Sequence, residues 1–459
     1  MTDTTRAVIR GGAPTTVGTP AAIRLRLPPG PAIDPVALAG GYGTVLADGS
    51  RTLVGLGQAR TLPLPGGLDD APAVAAVGDA LSRIPCDDRL ASGTAGHGVV
   101  AFGALPFDRS AVARLVVPEL TYGREADGTE WVTVVSDDRT RLPDADDPEE
   151  PAALRRWLVD RATSLPAPAR SAGRPVVRPR SNDRAFTRSV ARAVDAVHGG
   201  RVDKVVLARS VDVRLDAEVD GPRLLSRWAR LEPACTVFAV TTPDGRFVGA
   251  SPELLVDRAG DRVTSRPLAG TTDRDHDATS TLPVSLGDSA KDAEEHRLVV
   301  RAIHEQLAPV CRRLDVPDRP ELVHLHSITH LGTTVTGTLR AVAGTVPTAL
   351  DLVARLHPTP AVGGVPRAEA LALITRLEPG PRGSYAGPVG YVDGAGDGRW
   401  MVGIRAVTVR GADVVMTAGV GIVADSDPAT ELEETRLKFR AVFDALAPGA
   451  VFDTGAATD

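Results

Sequence analysis

Lysine is almost missing from this 459-residue chain: of 52 Lys and Arg residues, only Lys204, Lys291 and Lys438 are lysines. Where arginine serves nearly every need for a cation, a retained lysine marks a place for a compact ammonium, or for an amine that can lose its proton. Cysteine is as scarce. Cys86, Cys235 and Cys311 lie far apart with no CxxC spacing, which suits free thiols in a reducing compartment rather than a disulfide framework or a zinc knuckle. Aromatics are 3% of the chain, no Lys/Arg block stands out and the formal charge is -6, so no nucleic-acid partner is expected. No apolar run approaches the roughly 18 residues of a membrane span. The start, MTDTTRAVIRGGAP, lacks the charged-then-apolar layout of a signal peptide. The expectation is a soluble cytoplasmic protein without a membrane partner.

At 43% hydrophobic, a chain of this length can bury one large core or two ordinary ones. RLPDADDPEEP (141–151) reads as an exposed loop, and LPAPARSAGRPVVRPRS (165–181) as a second break. Beyond it the pattern sharpens. RAFTRSVARAVDAVHGG (184–200) predicts an amphipathic helix stopped by a Gly pair, and KVVLARSVDVRL alternates like a strand. SAKDAEEHRLVVRAIHEQLAPVCRRL (289–314) and ATELEETRLKFRAVFDAL (429–446) predict helices, with several strands between them. The strict strand–helix alternation of a dinucleotide-binding sheet is absent, and a mixed α/β (α+β) chain with long antiparallel segments is expected. We divide it into a variable N-terminal part (1–175), a catalytic region (176–448) and a disordered tail (449–459).

Glu431, Glu434 and Lys438 are spaced i, i+3, i+7, and so share one helical face. Asp292 and Glu295 repeat the i, i+3 spacing beside Lys291. Like charges so placed repel unless a cation lies between them. Carboxylates from two helices would make an oxygen-only site suited to Mg²⁺. Two ordinary solvated helix faces would show the same spacing.

The segments between carry the discrimination. DKVVLARS around Lys204, GASPELL with Glu253, PLAGTT (267–272), HPTPAVGGVP (357–366), RGSYAGPVGY (382–391), GIRAV around Arg405 and AGVGIV (418–423) follow in order. With AFGALPFD (101–108) as an outlying piece, the chain resembles the chorismate-utilising enzymes: isochorismate, salicylate, anthranilate and aminodeoxychorismate synthases. The resemblance implies an α/β body of large antiparallel sheets sandwiched by helices, with the active site in a cleft, and often a monomer.

By the same resemblance, Glu295 and Glu434 would ligate Mg²⁺, with Asp292 and Glu431 acting through water. Lys204 holds the place of the water-activating base, a role that requires burial or nearby cations to lower a lysine's pKa. Glu253 holds the place of the general acid, which needs the opposite push. Arg405 and Tyr385 would grip a substrate carboxylate, the enolpyruvyl one, for which a guanidinium fork is well shaped. The amides of Gly419 and Gly421, with Lys438, would hold the other carboxylate or its metal-bound waters. Gly270 and Thr271 would contact the ring, and His330 would lie near it. Salicylate and anthranilate synthases carry threonine where this chain has Ala361, so chemistry should stop after hydroxyl transfer. That predicts an isochorismate synthase, an isomerase of the hydroxymutase type whose product opens both menaquinone and siderophore synthesis.

Salicylate synthase, which adds pyruvate elimination, is the nearest alternative. From another class, His324, His326 and His330 could suggest zinc, but no third ligand of fitting spacing follows. DGAGDG (393–398) faintly resembles a calcium loop, yet lacks alternating oxygen ligands and a closing Glu, and is expected to be a hairpin turn.

Overall fold

A computed structural model describes residues 19–90, 98–164, 175–273, 290–326 and 328–452. The side chain of Thr271, the terminal tail from 453 onward and residues 165–174 of the 165–181 break lie outside those residues.

The helices form where caps and spacing coincide. In Asp183–His198 the Asn182 side chain accepts from the Ala185 amide, and Phe186, Val190, Ala193 and Ala196 make the buried stripe. Gly200, at φ +66, carries the chain away. Pro428–Leu446 opens with proline in its first turn, and Asp427 accepts from Ala429 N and Thr430 N. Ala290–Leu307 buries Val299, Ile303 and Leu307 at intervals of four.

Two sequence expectations need correction. The helical reading of 289–314 extends too far, because the helix stops at Leu307 ahead of Pro309 and Cys311–Asp315 is a strand against Val335–Leu339. CRRLD has no alternation of its own, and cross-strand pairing decides its state. The second break likewise contains a strand, Val176–Pro179, at the sheet edge against Val211–Arg214. An edge is where proline is tolerated in a sheet.

Among the described residues the strands form sheets of thirteen, nine and three. In the largest, Lys204–Arg214 runs antiparallel to Asp413–Ile422, with Val206 opposite Gly421 and Ala208 opposite Gly419. Strands from the first third of the chain, such as Thr44–Ala47 beside Thr236–Thr242, continue the same sheet. Leu46, Leu53, Trp131, Phe238 and Phe247 of this sheet pack on Phe102, Tyr391 and Met401 of the nine-stranded one. On its other face Val211, Val414 and Met416 meet Leu225, Trp228, Phe439 and Phe443 from helices. Helices Ala349–Leu356 and Ala290–Leu307 cover the outer side of the nine-stranded sheet. Two face-packed sheets between helices is the architecture expected from the resemblance. DGAGDG is a hairpin turn between Pro388–Asp393 and Gly398–Val402, also as expected. No helix among the described residues is long and apolar enough to cross a membrane.

Candidate active site

The site lies where the chain passes between sheets. Glu253 follows Ser251–Pro252 at the crossing from strand Gly245–Ser251 to Leu254–Ala259. From Thr417 to Ile422 the strand carrying Gly419 and Gly421 has outrun its neighbour Ala406–Arg410, so on that side its edge faces a recess. Ten of the residues singled out from the sequence line this recess: Glu253, Gly270, Glu295, His330, Ala361, Tyr385, Arg405, Gly419, Gly421 and Glu434, and Lys438 makes an eleventh. They come from loops and elements scattered between 253 and 438.

Lys204 stands behind Gly421. It is fully buried, with Nζ 2.8 Å from Glu295 Oε1 as an ion pair, yet Nζ has no aligned hydrogen-bond acceptor. Proximity supplies the charge balance while leaving a donor position of the amine uncommitted. Burial pushes the Glu295 carboxyl up, but Lys204, Lys438 and Lys291 outweigh it and the net shift is downward. Gly421 makes the approach possible: a Cβ there would lie 2.1 Å from Glu295 Oε1 and 3.0 Å from Lys204 Cε.

Glu253 has the reverse environment. It is 2% exposed, and burial pushes its carboxyl up to about 8 against the opposing charges of Lys204 and Arg405. Glu253 thus has an environment suited to a proton donor.

Lys438 donates to the Gly419 carbonyl at 2.8 Å and to Glu434 Oε1 at 2.6 Å. It therefore ties the last helix to the open strand edge. Tyr385 reaches the Gly419 backbone, and burial raises its phenol. Arg405 sits at φ +51, a left-handed conformation unusual for a side chain of this size. Its Nη2 lies 3.0 Å from His330 Nε2, and its Nε is buried with no partner.

The histidine's state follows from its neighbours. His330 Nδ1 is 2.8 Å from the Gly270 carbonyl, which only accepts, so Nδ1 carries the proton. Nε2 then accepts from Arg405. Burial, followed by the Arg405 charge, pushes the imidazole down to about 3. His330 is a neutral link between Gly270 and Arg405, with both ring nitrogens engaged. His324 Nδ1 lies 3.1 Å from Thr329 Oγ1, and among the described residues no group of three His, Cys, Asp or Glu is placed to hold a metal.

The acidic helices do meet across the site, but not as an assembled cage. Each lysine pairs one carboxylate: Lys204 with Glu295, Lys438 with Glu434, and Lys291 with Glu431 at 2.6 Å. Glu431 is fully buried and its Oε2 has no partner. Asp292 lies against Gly270, its Cβ 3.0 Å from where a Cβ on that glycine would sit. The donor set is all oxygen and an orphaned carboxylate oxygen is present, which fits a hard divalent cation. Such an ion would be taken up by loosening lysine contacts.

Arg382 lines the recess and was assigned no role from the sequence, although it opens the RGSYAGP segment. Its guanidinium donates to Val362 O at 2.7 Å and Val206 O at 2.8 Å, pairs with Glu378, and lies 4.1 Å over the Phe107 ring. It clamps the Ala361–Val362 loop to the strand bearing Lys204. His357 reinforces the clamp through Phe107 O at 2.9 Å. His296, next to Glu295, is buried on Thr333 Oγ1 at 2.7 Å; burial and then Lys204 push it down to about 4.

Comparison with known proteins places the chain in one family. The family model for chorismate binding enzyme matches residues 47–447. The MenF protein of Mycobacterium tuberculosis is 39% identical over 377 residues, covering 79% of this chain and 90% of that one. The isochorismate synthase DhbC of Bacillus subtilis is 35% identical over 353 residues, covering 75% and 80%. Among solved structures, the menaquinone-specific isochorismate synthase MenF of Escherichia coli superposes with a TM-score of 0.75 at 23% identity, covering 96% of this chain and 97% of that one. At that identity the likeness establishes the fold.

Proposed function

The chain belongs to the chorismate-binding enzyme family, and from that premise we propose that its recess converts chorismate to isochorismate. The observation that carries this reading is a recess in which burial raises the Glu253 carboxyl to about 8, with buried Lys204 paired to Glu295 on the recess wall.

Lys204, in its neutral form with the Glu295 ion pair opened, takes a proton from the water that adds at C2 of the ring. The ring double bonds shift, and Glu253 gives its proton to the C4 hydroxyl, which leaves as water. One water enters and one departs, so the reaction is an isomerisation. Arg405, held by neutral His330, and Tyr385 grip the enolpyruvyl carboxylate. The Gly419 and Gly421 backbone and Lys438 face the ring carboxylate. Glu295 and Glu434 would hold Mg²⁺, with Asp292 and Glu431 behind them through water. The ion would neutralise the ring carboxylate and fix its position. Gly270, with Thr271 beside it, borders the ring.

Ala361 at the cavity wall presents no hydroxyl, and His330 has its only proton committed to Gly270. Both favour retention of the enolpyruvyl group over its elimination. The direct test is incubation with chorismate and Mg²⁺, with and without ammonium, followed by product separation. Isochorismate alone is expected in both. Salicylate with pyruvate, or an aminated product, contradicts the reading.

A second prediction arises at Gly421. Gly421→Ala forces Glu295 and Lys204 apart, because a methyl cannot stand 2.1 Å from a carboxylate oxygen. We expect kcat/KM for isochorismate formation to fall about 100-fold, the typical result of misplacing a catalytic group by about 1 Å. Unchanged kinetics would mean that the Lys204–Glu295 spacing is immaterial.

A further inference from the structure

Lys291 has no part in the chemistry above, yet it makes the contact that joins the two acidic helices at their N-terminal ends. Its Nζ donates to Glu431 Oε1 at 2.6 Å, from the first turn of Ala290–Leu307 to the first turn of Pro428–Leu446. The pair is unlike a surface ion pair. Lys291 is 26% exposed, but the Glu431 side chain is completely buried and its other oxygen has no partner. Burial and the neighbouring Glu434 push the Glu431 carboxyl up, while Lys291 and a Ser426 hydrogen bond oppose them. The ammonium also feels Glu434 and Glu295. One lysine is therefore set against three carboxylates of the facing helices.

We infer that Lys291 is a resident counter-cation: it holds Glu431 and the acidic helix ends together before a divalent ion arrives, and releases Glu431 to that ion. The inference rests on the reading that a divalent cation binds here. Without Lys291, Glu431 is a buried carboxylate that has lost its counter-charge, a strongly destabilising arrangement. Once an ion supplies the positive charge, the lysine is redundant. Its removal then costs little in the loaded protein and leaves the ion facing a more negative site.

The test compares wild type, Lys291→Met and Lys291→Arg, measuring melting temperature in EDTA and in Mg²⁺, and Mg²⁺ affinity by calorimetry. Lys291→Met should melt about 5 °C or more below wild type in EDTA. Most of that loss should return with Mg²⁺, and Mg²⁺ should bind about tenfold tighter. Lys291→Arg, which keeps the charge, should resemble wild type. If wild type responds to Mg²⁺ but Lys291→Met matches it in both conditions, the counter-cation role is overturned and the metal site stands. If Lys291→Met is destabilised equally with and without Mg²⁺, Lys291 is a plain structural brace and the role is overturned. If wild type neither binds Mg²⁺ nor gains stability from it, the metal reading falls and the inference falls with it.

Discussion

Lys204→Ala should lose isochorismate formation by about 10²–10⁴-fold, the range for removing a positioned acid or base, while the protein still folds and binds Mg²⁺. The strand that carries Lys204 keeps its backbone pairing with Val365 on one side, and its next residue, Val205, remains opposite Ile422. Only the side chain is lost. Glu295 gives up its nearest cation but retains the charges of Lys438 and Lys291, so its carboxylate is not left bare. The deletion also opens a cavity the size of a propylamine. Small primary amines such as methylamine should therefore restore part of the activity of Lys204→Ala. Lys204→Met, which fills the same space without a basic atom, should be equally inactive and not rescued. Wild-type-like turnover in either variant would end the assignment of Lys204 as the base. Loss without any difference in amine response would indicate a packing role instead.

How far this site could be read from sequence depends on what each residue needs around it. Glu253, Glu295, Arg405 and the two glycines of AGVGIV sit in short motifs whose residue order survives without three-dimensional knowledge, and the recess gathers them. Helices were legible for a local reason: Asn182 and Asp427 cap their own amides within three residues. The strand state of Cys311–Asp315 was not, because it is decided by Val335–Leu339 across the sheet. Pairings were equally hidden. Spacing placed Lys438 on the face of Glu434, and those two do bond. Lys291, by contrast, neighbours Asp292 in sequence but bonds to Glu431 on another helix. Arg382 stood in plain view at the head of its motif. Its function consists of reaching two carbonyls, at Val206 and Val362, which no linear pattern records.

Glu253→Gln should trade activity for stability, and pH separates the two effects. The carboxyl must be protonated to serve the leaving hydroxyl. With its pKa raised to about 8, it is almost wholly protonated at pH 6 and loses its proton as pH rises through 8. Wild-type kcat/KM should therefore show an alkaline limb centred near 8. Glutamine cannot donate, so the variant should lose about 10²–10⁴-fold, and the limb should disappear with it. Stability has its own sign. Between an unfolded value of 4.5 and a folded value of about 8, the native state holds a proton that the unfolded chain releases, so raising pH across this window weakens folding. At pH 7 the penalty is roughly 3 kcal/mol. Glutamine is neutral at every pH and removes it. Glu253→Gln should thus be more stable than wild type at pH 7, with the gain shrinking toward pH 5. An inactive variant of unchanged or lower stability at pH 7 would mean that Glu253 is not held protonated. An alkaline limb that persists in Glu253→Gln would assign the ionisation to another group.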